Sequence, residues 1–144
     1  MEQQTPALVY ARDTLPVAVC GLHMRGYPLE RQLLAHGAHF VREDRTAPVY
    51  RLYALPTVPS KPGLVRTEEG GAAVSLEVWE MPVRNFGSFT AMIPSPLGIG
   101  KVLLQDGSAV CGFLCESFAV RGAEDISASG GWRQRFPLSA QPTP

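Results

Sequence analysis

The chain has 144 residues, enough for one domain with its own core, and its 45% apolar content excludes disorder of the whole. Thirteen basic residues balance thirteen acidic ones along the chain, so no basic stripe is left to neutralise phosphates, and nucleic acid is not an expected partner. No apolar run reaches the ~20 residues of a membrane helix, and the opening Met1-Glu2-Gln3-Gln4-Thr5-Pro6 is not a secretory signal, so no membrane association is expected. Three cysteines, an odd number, each lie in an apolar run and read as free thiols of a cytoplasmic protein.

In chain order, residues 1–14 read as a flexible tail, 15–137 as one domain, and 138–144 as a second tail. The run Val17 to Gly21 predicts a strand. A glycine-flanked loop follows, Gly21-Leu22-His23-Met24-Arg25-Gly26, and then a helix from about Leu29 to His36, with Pro28 at its start and Gly37 at its end. Phe40 reads as core, whereas Arg42, Glu43, Asp44 and Arg45 read as a solvated turn. Ala47 to Leu55 predicts a strand with Val49, Arg51 and Tyr53 on one face and Tyr50 and Leu52 on the other. Pro56 to Pro62 reads as a proline-stiffened loop, Gly63 to Thr67 as a short strand, and Glu68 to Gly71 as a turn.

Ala72 to Met81 predicts a strong strand, with Glu77 set between apolar neighbours at a wet face or in a cleft. Val83 to Met92 has helical spacing. Ile93 to Gly100 is a loop with two prolines followed by two glycines. Residues 99–105 and 108–115 flank Asp106-Gly107 and predict a β-hairpin. Residues 117–127 read as a return strand or irregular segment, and Trp132 with Phe136 as a docked aromatic pair. Strands dominate and helices are few, so the class is α+β around a small mixed, barrel-like sheet.

The candidate chemistry centres on the loop after the first strand. Backbone N–H groups there, beside a helix start, suit an anion. His23 is the one side chain in the loop that exchanges protons near neutrality, which makes it the candidate acid or base. Gly21, Leu22, Met24 and Arg25 would surround a ligand, with Tyr50, Arg51, Tyr53 and Glu116 as further candidates; an ordinary surface ion pair is the competing reading for Arg51. Cys111 and Cys115 would lie about 13 Å apart along a strand, at ~3.3 Å per residue, too far for one zinc ion or a disulfide. No metal site or organic cofactor is indicated.

Several stretches together resemble a known family: Val17 to Leu29, Thr46 to Tyr53, Leu76-Glu77-Val78-Trp79-Glu80, Pro96-Leu97-Gly98-Ile99-Gly100, Gly112-Phe113-Leu114-Cys115-Glu116 and Gly130-Gly131-Trp132-Arg133. They resemble the C-terminal domain of allophanate hydrolase, over nearly all of 16–136. The resemblance implies a γ-glutamylcyclotransferase-like fold, with Cys20-Gly21-Leu22-His23 in the place of that superfamily's substrate-lining Tyr-Gly-Ser-Leu loop. The superfamily's catalytic glutamate would follow the strand at 76–80, yet residues 81–105 hold no acidic side chain, which argues against cyclotransferase chemistry.

The family's Ser-Ser-Lys amidase machinery belongs to a different domain, so this chain by itself is expected not to hydrolyse allophanate. Three readings follow from the resemblance. One is lyase or hydrolase chemistry on a small carboxylated nitrogen compound, decomposing an N-carboxylated carbamate to carbon dioxide and ammonia. The second is a non-catalytic assembly domain for a separate amidase subunit. The third is a small-molecule binding protein.

Overall fold

The computed structural model describes residues 13–138; the two expected tails otherwise lie outside the described residues. Eleven regular elements follow in order: β1 (Thr14–Val19), α1 (Glu30–Ala35), β2 (His39–Arg45), β3 (Tyr50–Leu55), β4 (Lys61–Arg66), β5 (Ser75–Pro82), α2 (Val83–Ala91), β6 (Leu97–Leu103), β7 (Ala109–Cys115), β8 (Glu124–Asp125) and α3 (Trp132–Arg135). Two sheets form. The larger has the order β2-β5-β1-β7-β6, and the smaller β4-β3-β8. A single bridge from Tyr50 to Ala72 ties the smaller sheet to the segment before β5, and another from Thr46 to Leu104 joins the chain just past the larger sheet's two edge strands, short of a closed barrel. The α+β class with a mixed sheet and few helices is thus the observed architecture.

β1 is central. It runs parallel to β7 and antiparallel to β5, and Val17, Ala18 and Val19 are all buried. A strand covered on both faces reads as a continuous apolar run, which is how this segment stands out in the sequence. β5 is likewise covered on both faces, so Leu76, Glu77, Val78 and Trp79 are buried together despite alternating direction. The Asp106-Gly107 hairpin forms as expected: Leu97 pairs with Cys115 and Leu103 with Ala109, and Gly107 takes φ +91° at the turn.

Other expectations need correction. The charged stretch 42–45 is no turn; it continues β2 to Arg45. β2 is an edge strand whose side chains largely face solvent, so charges there cost nothing, and a bulge between Phe40 and Arg42 adjusts its register. The strand at 47–55 starts only at Tyr50, and that at 72–81 only at Ser75. Thr14, assigned to the tail, already pairs with Pro82, and Leu138 lies against Gly26. No helix among the described residues is long and apolar enough to cross a membrane.

The loop after β1 is held by one buried carboxylate. Glu77, 1% exposed, accepts hydrogen bonds from the Arg25 backbone N–H (3.0 Å), Arg25 Nε (3.1 Å), Trp79 Nε1 (3.1 Å) and Arg133 Nη2 (2.9 Å). Arg133 Nη2 also donates to the Arg25 carbonyl at 3.1 Å, so both backbone polar groups of Arg25 are held. Glu77→Ala should strand these donors. Because both arginines remain partly exposed, the loss should fall below the ~3–5 kcal/mol of a fully buried pair. We expect roughly 2–3 kcal/mol from urea unfolding, with faster amide exchange at Arg25; an unchanged midpoint would show that the carboxylate is not what fixes the loop.

Candidate functional site

β1 delivers Cys20 to Leu22 onto the wall of a cavity of about 490 Å³. Its other walls come from α1 (Gln32), the β3–β4 loop (Pro59 to Pro62), the segment after α2 (Met92 to Pro94), β7 (Phe113) and α3 (Trp132, with Phe136 just beyond). Most of these side chains are apolar. His23, Gln32, Ser60 and Lys61 supply polar groups.

His23 is 9% exposed and its Nε2 lies 2.7 Å from Gln32 Oε1. The amide oxygen accepts, so Nε2 carries the proton. The imidazole stacks on Phe113 with centroids 4.7 Å apart and meets the edge of Phe89 at 5.7 Å. Burial pushes its pKa down, and the bond to Gln32 offsets this in part. The resting side chain is therefore neutral at pH 7. Cys20 lines the same cavity, but burial, helped by the neighbouring Cys115, pushes its thiol up to about 12, so it is no nucleophile. Among the described residues Lys61 makes no ion pair, which leaves its ammonium available to an anion in the cavity. No three His, Cys, Asp or Glu side chains among the described residues are grouped as metal ligands.

The loop is built differently from the expected anion cradle. The Arg25 N–H is taken by Glu77, and the Gly26 N–H by Glu30 Oε1 at 3.0 Å, so the chain's own carboxylates occupy these donors. Gly21 is needed for another chain segment: a β-carbon there would strike the Pro62 ring. Gly26 sits at φ +88°, a conformation suited to glycine.

Of the residues expected around a ligand, His23, Gly21 and Leu22 line the cavity. Met24 is buried in the core. Arg25 pairs with Glu77 and with Glu43 at 2.9 Å, its guanidinium 3.6 Å over the Phe40 ring. Tyr50 is wholly buried, and its hydroxyl accepts from the Leu103 N–H at 2.9 Å. Arg51 makes the ordinary surface pair with Asp125 at 3.2 Å, while Tyr53 shares that strand face opposite Asp125. Glu116 is exposed beyond β7. The expectation that one of Tyr50, Arg51, Tyr53 or Glu116 would join His23 at the cavity is therefore corrected: β3 lies in the smaller sheet between β4 and β8, and none of the four lines the cavity.

Gln32 and Lys61 were not singled out in the sequence. Gln32 lies nine residues from His23, across the loop and onto α1, and Lys61 sits within a proline-rich stretch that reads as connection only.

His23 packs too closely for its removal to be silent. His23→Ala should cost roughly 1–3 kcal/mol through the orphaned Gln32 amide and the lost aromatic contacts. Its lowered pKa also makes stability pH-dependent. The unfolded chain takes up a proton near pH 6.5 and the folded chain only lower, so stability present above ~6.5 is lost as pH falls through the window below it. Urea midpoints should drop more between about pH 7 and pH 5 for the wild type than for His23→Gln; parallel curves would refute the buried neutral imidazole.

Comparison with known proteins accounts for this arrangement. The family model of the allophanate hydrolase C-terminal domain matches residues 15–136. A urea amidolyase of Lachancea kluyveri is 44% identical over 134 residues, covering 90% of this chain but 7% of that protein, so this chain spans less than a tenth of that relative's length. Allophanate hydrolase of Kluyveromyces lactis superposes with TM-score 0.82 at 42% identity, over 85% of this chain and 21% of the other. The uropathogenic E. coli-specific protein c4763 does so with TM-score 0.79 at 39% identity, over 85% of this chain and 94% of that one. A γ-glutamyl cyclotransferase, 16% identical with TM-score 0.52 over 78% of this chain and 69% of its own, shares the fold alone. With β2 to β8 and the whole His23 loop inside the matched span, this chain belongs to the allophanate hydrolase C-terminal domain family, on a γ-glutamylcyclotransferase-like fold.

Proposed function

We propose that the cavity binds a small N-carboxylated carbamate, the product class expected after an amidase has deaminated allophanate, and promotes its loss of carbon dioxide. The observation that carries this reading is a neutral, desolvated His23–Gln32 pair set in the wall of a mostly apolar cavity. The carbon–nitrogen bond breaks with its electron pair passing to nitrogen, which takes a proton; carbon dioxide leaves, and the remaining carbamate then decomposes to ammonia and a second carbon dioxide. A carboxylate loses its charge in this step. Apolar walls such as Phe113 and Leu97 disfavour the charged ground state more than the departing neutral molecule.

Lys61 holds the carboxylate that stays. A clamp on the departing one would oppose the reaction. A dianion in the cavity raises the His23 pKa, so the imidazole gains a proton on binding and delivers it to nitrogen. A second reading, an assembly domain for an amidase part, draws on the K. lactis chain, of which the matched region is 21%.

Malonate, which has a methylene in place of the nitrogen, is a stable stand-in. It should bind more tightly as pH falls from about 8 toward 6, with proton uptake seen by calorimetry in buffers of different ionisation enthalpy. With allophanate and a separate allophanate amidase generating the product in place, added chain should accelerate carbon dioxide release. His23→Gln should lower that acceleration by roughly 10²–10⁴-fold. An identical time course with and without the chain would leave the assembly reading standing instead.

A further inference from the structure

The cavity has more room and more apolar lining than two carboxylates on one nitrogen would occupy. Its volume of about 490 Å³ equals that of about sixteen waters at ~30 Å³ each, within the range of pockets that enclose drug-sized ligands. Its polar groups are also unevenly shared among the contributing segments. His23 and Gln32 come from the loop and α1, and Ser60 and Lys61 from the start of β4, which the Gly21–Pro62 contact draws against that same loop. The remaining lining at Met92, Ile93 and Leu97 and at Trp132 and Phe136 carries no charge.

Trp132 and Phe136 stack with ring centroids 4.5 Å apart, and Phe136 is anchored by its carbonyl, which accepts from the Tyr27 hydroxyl at 2.6 Å. An aromatic wall fixed in this way is a preformed apolar surface that water solvates poorly.

We propose that this part of the cavity is a second, apolar subsite, and that the site takes an amphiphilic monocarboxylate: its head at Lys61 and the His23–Gln32 pair, its hydrocarbon body against Met92, Ile93, Leu97 and the Trp132–Phe136 wall. The head placement rests on the function proposed above; the subsite itself rests on volume and lining. Lys61 supplies the countercharge, and the neutral imidazole allows a monoanion to bind without a second cation.

Calorimetry with butanoate, hexanoate and octanoate, all below micelle formation, tests this on the full chain. Affinity should rise about threefold to fourfold per added methylene until the subsite is filled. The matching alcohols should bind at least tenfold more weakly than the acids, and Lys61→Gln should erase that difference. Met92 is half-exposed, so Met92→Glu should fold normally while flattening the dependence on chain length. A flat series in the wild type, or a series unaltered by Met92→Glu, would overturn the subsite, and equal binding of acids and alcohols would overturn the placement of the head at Lys61. Malonate binding that persists beside a flat series would sink the subsite alone, whereas a steep series without accelerated carbon dioxide release would sink the decarboxylation reading alone.

Discussion

The Glu77 carboxylate is the constraint on which the rest of the structure depends. It sits in a strand covered on both faces, where an ionised group without partners is not tolerated, and its charged partners both come from other parts of the fold. Arg25 comes from the loop after β1, Arg133 from α3 near the end of the chain, and Trp79 from the same face of β5. Satisfying one buried charge thus positions two segments that both face the cavity: the His23 loop through Arg25, and the Trp132–Phe136 wall through Arg133. Arg25 and Arg133 act structurally, and their charge is consumed at Glu77 before any ligand arrives. This arrangement gives a rigid site at the cost of an internal ion cluster that a hydrophobic replacement of similar volume could match for stability.

The electrostatics of the cavity follow from that division. The arginines on the Glu77 side are neutralised, so the cavity side retains Lys61 as a cation and His23 as a neutral donor or acceptor. Low polarity around His23 depresses its proton affinity when the cavity is empty and makes that affinity responsive to an arriving anion. A site lined by several fixed cations would bind a carboxylate more tightly and would resist its conversion to a neutral product. Sparse charge and apolar walls suit a reaction in which charge disappears.

Much of this was legible in the sequence, and what was missed has a common cause. The central strand, the His23 loop, both longer helices and the Asp106-Gly107 hairpin all rest on local periodicity or turn chemistry. Alternation put Tyr50 and Leu52 on one face and Arg51 and Tyr53 on the other, and the structure buries the first pair. It could not say which sheet β3 would join, and that choice takes Arg51 to Asp125 and away from His23. Edge position, which lets Arg42 to Arg45 run on as strand, is likewise a property of strand order. Lys61 escaped notice because a lysine between proline and serine has no local pattern; its meaning comes from Gly21, whose missing β-carbon admits Pro62 and brings the neighbouring lysine to the cavity.

The fold shared with a γ-glutamyl cyclotransferase does not bring a carboxylate to this cavity. A γ-glutamyl cyclisation needs a base able to take a proton from an ammonium, and residues 81–105, which follow β5 into the cavity wall, offer no carboxylate. They offer Met92, Ile93, Pro94 and Leu97 in its stead. Among the lining groups Cys20 keeps its proton up to about pH 12, leaving His23 as the group suited to exchange one near neutrality. A cavity with one such group, neutral at rest, fits the proposed loss of carbon dioxide, which consumes a single proton.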